Sequence, residues 1–345
     1  MPNRRRTLGL VSVGLGGALV TSCALPTRDG AAPSLPRASV GRLERLPALA
    51  SRHVQARPVD VWLPPGYDPA RRHAVLYMHD GQMLFDASTT WNRQAWEVDD
   101  VASRLLARGL LRDFIVVGVW NNGDKRFAEY YPQRMLAHLP AQALPALEAR
   151  GLKGPPLADA YLRFLVQELK PAIDRRYATL GGREDTLLMG SSMGGLISVY
   201  ALLEYPEVFG AAAALSTHWI TSMEANTLFP EAAAAYLHGA LPPPGRLRLY
   251  MDHGTAELDG LYGQAQARID RVFRERGFGP PQVVSRVFEG AGHNETSWQA
   301  RLHVPLGFLL GRPGPAGSRE PVAAQALPQE RPQAAACARR RPPRG

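Results

Sequence analysis

The sequence contains very little cysteine, and this limits how its fold can be stabilised. Of 345 residues only Cys23 and Cys337 are cysteines, and they lie near opposite ends of the chain. The central part therefore has no disulfide framework, and no ligand spacing typical of a metal site is present. With 45% hydrophobic and 21% charged residues, the composition is that of a globular protein that relies on a buried apolar core. Neither a metal nor a cofactor is predicted.

The chain also lacks a basic surface in its central region, although its formal net charge is +9. Residues 1–45 and residues 312–345 each carry seven arginines against two acidic residues, a net charge of +5 in each segment. Residues 46–311 have a net charge of −1. A nearly neutral body offers no positive stripe that could follow a phosphate backbone, so nucleic acid is not an expected partner.

No apolar run is long enough to cross a bilayer comfortably, but the N-terminus has the pattern of an export signal. The basic "MPNRRR" precedes the apolar "TLGLVSVGLGGALV", and "VTSC" then ends at Cys23. This order is typical of a signal peptide, and the cysteine resembles the lipidation site of a bacterial lipoprotein. Residues 1–23 are therefore predicted to be a lipoprotein-type signal, with the exported protein facing the periplasm or cell surface and attached to the membrane only through Cys23. An ordinary signal peptide with an incidental cysteine is the alternative.

Two flanking segments have the composition of flexible chain. Residues 24–45 are rich in Pro, Ala, Ser and Arg and predict a tether. Residues 312–345 are rich in Pro, Ala and Arg and predict a disordered tail. The folded domain is therefore expected to span residues 46–311.

Within that domain, strand and helix patterns alternate. The continuous apolar runs "HAVLYMHDG" and "FIVVGVW" are typical of buried parallel strands, and "LADAYLRFLVQELKPAIDRRY" has helical spacing. Such alternation predicts one α/β domain, a doubly wound, mostly parallel sheet flanked by helices. Functional residues are then expected in the loops at the C-terminal ends of the strands.

The stretch "TLLMGSSMGGLISVY" (186–200) contains the first candidate for catalysis. Gly190, Ser192 and Gly194 match the pattern Gly-x-Ser-x-Gly between an apolar strand and a helix. A sharp turn from strand to helix strains the backbone of the central serine and needs residues without bulk two positions before and after it. The glycines are centred on Ser192 and not on Ser191, so Ser192 is the predicted nucleophile. A glycine turn with a purely structural role is the alternative.

A serine nucleophile needs a base and an acid, which in an α/β hydrolase follow the serine in the order acid, histidine. His293, in the polar "FEGAGHNETSW" after the last predicted strand, is the candidate base. The loop "GTAELDG" after the preceding strand supplies two candidate acids, Asp259 and Glu257. Asp259 is favoured because it lies where the loop meets the next helix, although it could merely cap that helix.

The segment "YMHDGQMLFD" after the first buried strand is the candidate oxyanion loop. The backbone N–H of Gly81 or Gln82, together with that of Met193, would bind a tetrahedral oxyanion. The glycine is expected to allow close approach of the substrate. His79 and Asp80 are interpreted as a polar pair that fixes the loop.

The stretch that follows the second buried strand is predicted to form the substrate rim. Asn121, Arg126 and Tyr130 are candidate contacts for an aromatic or carboxylate-bearing substrate, and His218 is expected to line the pocket. An ion pair between Arg126 and Glu129 that only pins the loop is the alternative.

Taken together, "HDGQMLFD", "GSSMGGLISVYALLEYPEVFG", "YMDHGTAELDG" and "GAGHNETSWQARLHVPLGFLL" resemble the esterase family of α/β hydrolases over nearly all of residues 50–311. This family includes feruloyl and acetylxylan esterases, enterochelin esterases, S-formylglutathione hydrolases and mycolyltransferases. The resemblance implies the α/β-hydrolase fold, with Ser192 as nucleophile, His293 as base and an acid in "GTAELD". Met83 stands where the family pattern has a polar residue, and this departure is expected to alter the pocket.

The predicted function is hydrolysis of a carboxylic ester through an acyl-enzyme on the serine. The substrate would be a small-molecule or polysaccharide-linked ester: a siderophore, a feruloyl or acetyl polysaccharide, or a simple acyl ester. Acyl transfer to a carbohydrate or lipid acceptor is a second hypothesis, and a non-catalytic surface binding protein on a hydrolase scaffold is a third. The sequence makes no prediction of oligomeric state.

Overall fold

The computed structural model describes residues 33–47, 49–147 and 151–312. This part of the chain contains an eight-stranded sheet with the order β1-β2-β4-β3-β5-β6-β7-β8. Its strands are β1 Arg42–Arg45, β2 Val59–Leu63, β3 Ala74–His79, β4 Phe114–Val119, β5 Thr186–Ser191, β6 Ala211–Leu215, β7 Arg248–Gly254 and β8 Val283–Phe288. Only the β1–β2 and β2–β4 pairs are antiparallel. The predicted α/β fold with a mostly parallel sheet is confirmed.

The central strands have continuous apolar sequences because both faces of the sheet are covered. Every residue from β2 through β6 that belongs to a strand is buried. In β3, Val75 and Tyr77 belong to the core cluster on one face, and Leu76 and Met78 belong to the cluster on the other. This alternation is the two-residue period of a strand.

Helices cover both faces of the sheet. Their bounds are α1 Val98–Ala107, α2 Arg126–Tyr130, α3 Leu144–Leu147, α4 Ala158–Arg163, α5 Lys170–Arg176, α6 Met193–Glu204, α7 Leu228–Ala240, α8 Gly263–Glu275, α9 Glu295–Arg301 and α10 His303–Leu310. Helices α1, α9 and α10 contribute to one core cluster, and α2 to α8 contribute to the other. The long helix predicted from the sequence consists of α4 and α5 joined by the π-helical segment Phe164–Leu169.

The predicted end of the N-terminal tether at residue 45 is wrong. Strand β1 pairs with β2, and Arg45 in β1 forms an ion pair with the buried Asp60, with 2.7 Å between Nε and Oδ1. The compact unit that contains the sheet begins at Leu35. Local composition does not reveal β1 because an edge strand of this kind is stabilised by pairing with a later strand.

The predicted signal segment and most of the predicted tether and tail lie outside the described residues. Within residues 33–47, 49–147 and 151–312, no helix is both long enough and apolar enough to cross a membrane.

Candidate active site

The turn between β5 and α6 has the geometry of a nucleophile elbow. Ser192 has φ 57° and ψ −122°, a conformation that costs a residue other than glycine about 1–3 kcal/mol. A Cβ on Gly190 would lie 2.6 Å from the carbonyl oxygen of Gly194, so no larger side chain fits there without a shift. Ser191 is a buried residue of β5. The glycines therefore bracket Ser192 at the tip of the turn, as the sequence pattern indicates.

The candidate base contacts one of the two candidate acids. His293 Nδ1 lies 2.6 Å from Asp259 Oδ1. The other carboxylate oxygen of Asp259 accepts hydrogen bonds from the Ser216 hydroxyl and the Gly254 N–H, both at 2.6 Å. Burial raises the pKa of Asp259, but the hydrogen bonds from His293 and Ser216 outweigh this effect and hold the pKa below its ordinary value. The carboxylate is therefore charged at neutral pH and fixes the orientation of the imidazole.

Glu257 binds the backbone of the loop that carries His293, whereas Asp259 binds the imidazole ring. Its Oε2 accepts hydrogen bonds from the backbone N–H of His293 at 2.9 Å and from Asn294 Nδ2 at 3.1 Å. A Cβ on Gly292 would lie 2.6 Å from this carboxylate, so a larger residue there would require the Glu257 side chain to shift. Asp259 thus contacts the imidazole ring, whereas Glu257 holds the backbone that carries it.

A network of buried polar groups binds Oδ2 of Asp259, the carboxylate oxygen that does not contact His293. The Ser216 hydroxyl that donates to Asp259 accepts hydrogen bonds from Trp298 Nε1 at 2.9 Å and from Arg301 Nη2 at 2.8 Å. Arg301 is 3% exposed and forms an ion pair with Asp252 at 3.1 Å. The network ties the ends of β6 and β7 to α9, where the histidine loop continues.

The candidate oxyanion loop begins directly after β3 with strained backbone. Asp80 has φ 57° and precedes a single turn of 3-10 helix, Gly81–Met83. A Cβ on Gly81 would lie 2.6 Å from the carbonyl group of Gly118. The glycine is therefore required by the neighbouring strand β4, and the expectation that it also allows close approach of the substrate stays a prediction. His79 contributes to fixing the loop through a 2.8 Å hydrogen bond between its Nδ1 and the Tyr161 hydroxyl.

Met193, Gln82 and Met83, the other residues discussed for the oxyanion site, lie at a helix N-terminus, in a loop contact and in the core, respectively. Met193 is the first residue of α6, so its N–H lies at the helix N-terminus. Gln82 Oε1 accepts a hydrogen bond from the backbone N–H of Asn121 at 3.2 Å. Met83 is 5% exposed and packs in the core cluster with α1. The expectation that Met83 alters the pocket is wrong, because its side chain fills the core on that face of the sheet.

The predicted rim residues converge on Asp80. Arg126 donates to both carboxylate oxygens of Asp80, from Nε and Nη2, each at 2.7 Å. Asn121 Nδ2 donates to the same carboxylate at 2.7 Å. The Tyr130 hydroxyl accepts the backbone N–H of Asp80 at 3.4 Å. Tyr130 has no exposed surface, so its predicted contact with substrate is wrong: it lies beneath the loop.

The alternative ion pair between Arg126 and Glu129 is also wrong. Glu129 accepts two hydrogen bonds from Arg57, at 2.6 and 2.7 Å, and both side chains are only 2% exposed. Arg126 and Glu129 lie together in the short helix α2. This helix is therefore attached to the rest of the domain through Arg57, and it binds the candidate oxyanion loop through Asp80.

His218 lies beside the predicted nucleophile but offers little surface to a substrate. Its backbone N–H donates to the Ser192 carbonyl at 3.2 Å, and its ring packs against Phe127 and Tyr262. Burial, reinforced by the positive charges of His293 and Arg126, lowers the pKa of His218 to about 3. The side chain is 3% exposed and neutral at physiological pH.

Tyr262 contacts several site residues and is not indicated by any sequence pattern above. Its hydroxyl lies 2.6 Å from His218 Nδ1, and its ring meets that of His293 edge-on at 5.6 Å. Burial and the nearby Asp259 carboxylate raise the pKa of Tyr262. Its position three residues after Asp259, one turn of 3-10 helix, is the only sequence signal that could have found it.

Comparison with known proteins identifies the family. The family model described as "Putative esterase" matches residues 51–309. The chain belongs to this esterase family. Among curated proteins, the esterase is similar to the uncharacterized protein YbbA of Bacillus subtilis strain 168, with 23% identity over 275 residues that cover 77% of this chain and 97% of YbbA.

Two solved structures are similar to this esterase in fold. A ferulic acid esterase superposes with a TM-score of 0.57 at 19% identity, covering 79% of this chain and 98% of the other. The enterobactin esterase of Shigella flexneri, solved in the presence of 2,3-dihydroxy-N-benzoyl-serine, superposes with a TM-score of 0.54 at 18% identity, covering 79% of this chain and 60% of the other. At these identities the likeness supports the α/β-hydrolase fold.

Proposed function

We propose that this esterase is a serine carboxylic ester hydrolase that forms an acyl-enzyme on Ser192. The observation that carries the proposal is the 2.6 Å contact between His293 Nδ1 and the buried Asp259 carboxylate. Both residues lie in loops at the same edge of the sheet as the strained serine, since the carboxyl ends of β5, β7 and β8 meet there. Nucleophile, acid and base then occur in the chain order of α/β hydrolases.

In the proposed reaction, His293 Nε2 takes the proton of the Ser192 hydroxyl while the serine oxygen attacks the ester carbonyl. The N–H of Met193 and that of Gly81 or Gln82 would bind the oxyanion. His293 then gives its proton to the leaving alcohol. Water, activated by the same histidine, cleaves the acyl-enzyme and releases the acid.

The names of similar solved proteins suggest which classes of ester to test first. The solved relatives are named for ferulic acid and enterobactin, which points to testing esters with aromatic acyl groups beside simple acetyl esters. Asn121 and Arg126 remain the proposed substrate-facing residues. Both are half-buried, and both bind the carboxylate of Asp80 at the start of the candidate oxyanion loop.

The test compares Ser192→Ala with Ser191→Ala on p-nitrophenyl acetate, a feruloyl ester and a catechol-bearing siderophore ester. Loss of the nucleophile should lower kcat by about 10⁴-fold or more. The neighbouring serine is the matched control, because it has the same chemistry but lies inside β5, and its variant should keep kcat within about threefold of wild type. An active Ser192→Ala enzyme would refute the proposal.

Export and lipid attachment are proposed from the first 23 residues alone. The full chain expressed in a Gram-negative host should partition with membranes, and Cys23→Ser should release it to the soluble periplasmic fraction. If that variant partitions as the wild type does, the lipid anchor is refuted.

A further inference from the structure

We propose that the indole of Trp91 binds the alcohol part of the ester and that this alcohol is a sugar. The inference rests on the proposed function, because it takes His293 as the base beside which the alcohol departs. Trp91 is 81% exposed, and the reaction described above gives it no role. An aromatic ring of this size on the surface is a candidate contact for a ligand.

The loop that carries Trp91 is internally hydrogen-bonded. It connects the 3-10 turn Gly81–Met83 to α1. The Asp86 carboxylate accepts hydrogen bonds from the backbone N–H and the hydroxyl of Ser88, at 2.9 and 2.6 Å, and the Arg93 guanidinium donates to the Ser88 carbonyl. A ligand would therefore meet a backbone that is already ordered, which lowers the entropic cost of binding.

The same loop is attached to the helix that follows the candidate base. Asn92, the residue after Trp91, donates from Nδ2 to Glu295 Oε2 at 2.7 Å. Glu295 is the first residue of α9, two residues after His293, and is 9% exposed. One hydrogen bond to a buried carboxylate thus links the neighbour of Trp91 to the segment that contains the base.

Two further contacts fix the loop beside the base. The Thr296 hydroxyl donates to Gln94 Oε1 at 3.2 Å. The ring of Trp96 lies 5.5 Å from that of Trp298, which meets the His293 ring edge-on at 5.2 Å. The segment from Trp91 to Trp96 therefore lies along the histidine side of the candidate site.

This position determines which part of the ester the indole would contact. In the proposed reaction His293 gives its proton to the leaving alcohol, so the alcohol oxygen must come within hydrogen-bonding distance of the imidazole. A group on the histidine side of the site therefore contacts the alcohol part of the substrate and not the acyl part.

The residues around Trp91 favour a sugar as that alcohol. Residues 88–94 read Ser-Thr-Thr-Trp-Asn-Arg-Gln, so the indole is the one apolar group in a polar stretch. A membrane surface or an apolar protein partner would require a continuous apolar patch. A sugar ring, in contrast, has C–H groups that pack on an indole face and hydroxyls that bond to polar side chains at its edge.

The experiment compares two esters of one acid, the methyl ester and the xylotriose ester. The acid is the one of acetic, ferulic and 2,3-dihydroxybenzoic acid whose methyl ester the wild-type enzyme hydrolyses with the highest kcat/KM. Both esters form the same acyl-enzyme, so a difference in kcat/KM reports contacts made with the alcohol before that intermediate forms.

In Trp91→Ala, the ratio of kcat/KM for the xylotriose ester to that for the methyl ester should fall about three- to tenfold. The value for the methyl ester itself should not change, because methanol is too small to reach the indole. Trp91→Phe, which keeps an aromatic ring, should retain most of the wild-type ratio.

The matched control is Met223→Ala. Met223 is 74% exposed but lies in the loop between β6 and α7, and its variant should keep the wild-type ratio. The inference is refuted if Trp91→Ala keeps that ratio, if it lowers kcat/KM equally for both esters, or if Met223→Ala lowers the ratio as much. An active Ser192→Ala enzyme would refute the proposed function itself, whereas an inactive one with an unchanged ratio in Trp91→Ala overturns only this inference.

Discussion

Replacement of Asp259 by Asn should remove most of the activity while leaving the fold intact. Asn has the same shape as Asp but carries one oxygen and one NH₂ group. The Oδ2 atom of Asp259 accepts two donors, the Ser216 hydroxyl and the Gly254 N–H, whereas Oδ1 accepts only from His293. The amide oxygen therefore takes the Oδ2 position, and the NH₂ group faces the imidazole.

The consequence for His293 is a reversed tautomer. Its Nδ1 must accept a hydrogen bond from the new NH₂ group, so its proton moves to Nε2, which can no longer accept the proton of Ser192. Loss of the correct tautomer costs on the order of 10⁴ in kcat in serine hydrolases, or about 5 kcal/mol in the activation barrier. Steady-state hydrolysis of p-nitrophenyl acetate measures the loss, and urea denaturation checks that the variant is folded.

Glu257→Gln is the matched control for this experiment. The new amide oxygen can still accept the backbone N–H of His293, so kcat should stay within about threefold of wild type. The assignment of the acid would be refuted if Asp259→Asn kept more than about one per cent of wild-type kcat, or if the control lost as much activity.

Three further predictions concern stability, measured by urea denaturation. Gly190→Ala should lower the free energy of unfolding by about 1–3 kcal/mol, because its Cβ would press on the Gly194 carbonyl. Arg57→Met should lower it by about 3–5 kcal/mol, because it leaves the Glu129 carboxylate buried without its partner. Because the pKa of His218 is lowered to about 3 in the folded state, the unfolded chain binds a proton that the folded chain does not between pH 6.5 and 3. The free energy of unfolding should therefore fall with falling pH by about 1.4 kcal/mol per pH unit from this group, and His218→Asn should remove that contribution.

Matched variants distinguish these effects from general damage. Gly239→Ala meets no atom within 4 Å and should leave stability unchanged or slightly raised. Arg104→Met breaks an exposed pair with Asp100 and should cost less than about 1 kcal/mol. A normal stability of Gly190→Ala or Arg57→Met would contradict the packing and charge arguments. An unchanged pH slope in His218→Asn would mean that another group titrates.

The fold and the strained turn at Ser192 were predictable because their signals are local. A buried strand between helices requires a continuous apolar run, and "TLLMG" (186–190) corresponds to β5, which extends one residue further to Ser191. The turn needs small residues at fixed distances from Ser192, and the glycines stand at those distances. Such constraints act within a few residues and leave a direct pattern in the sequence.

The partners of charged side chains were not predictable because they lie far apart in the chain. Arg126 and Glu129 are neighbours in α2, so a local ion pair is the natural expectation. Instead each binds a residue on another element, Asp80 and Arg57, which are 46 and 72 residues away. Strand β1 was not predicted for the same reason, since it is stabilised by pairing with β2, which lies later in the chain. Tyr262 has no local pattern beyond its position three residues after Asp259, because its environment is created by loops after three different strands.

The buried charges around Asp259 bear directly on the proposed proton transfer. Arg301 is the cation of this network, 3.1 Å from Asp252 and 3.8 Å from Asp259. With both carboxylates ionised, these three side chains carry one net negative charge in a region of low dielectric. The Nδ1 atom of His293 lies 2.6 Å from Asp259 Oδ1. Two carboxylates that share one guanidinium therefore leave a negative charge beside the imidazole, the group that would carry a positive charge in the proposed proton transfer.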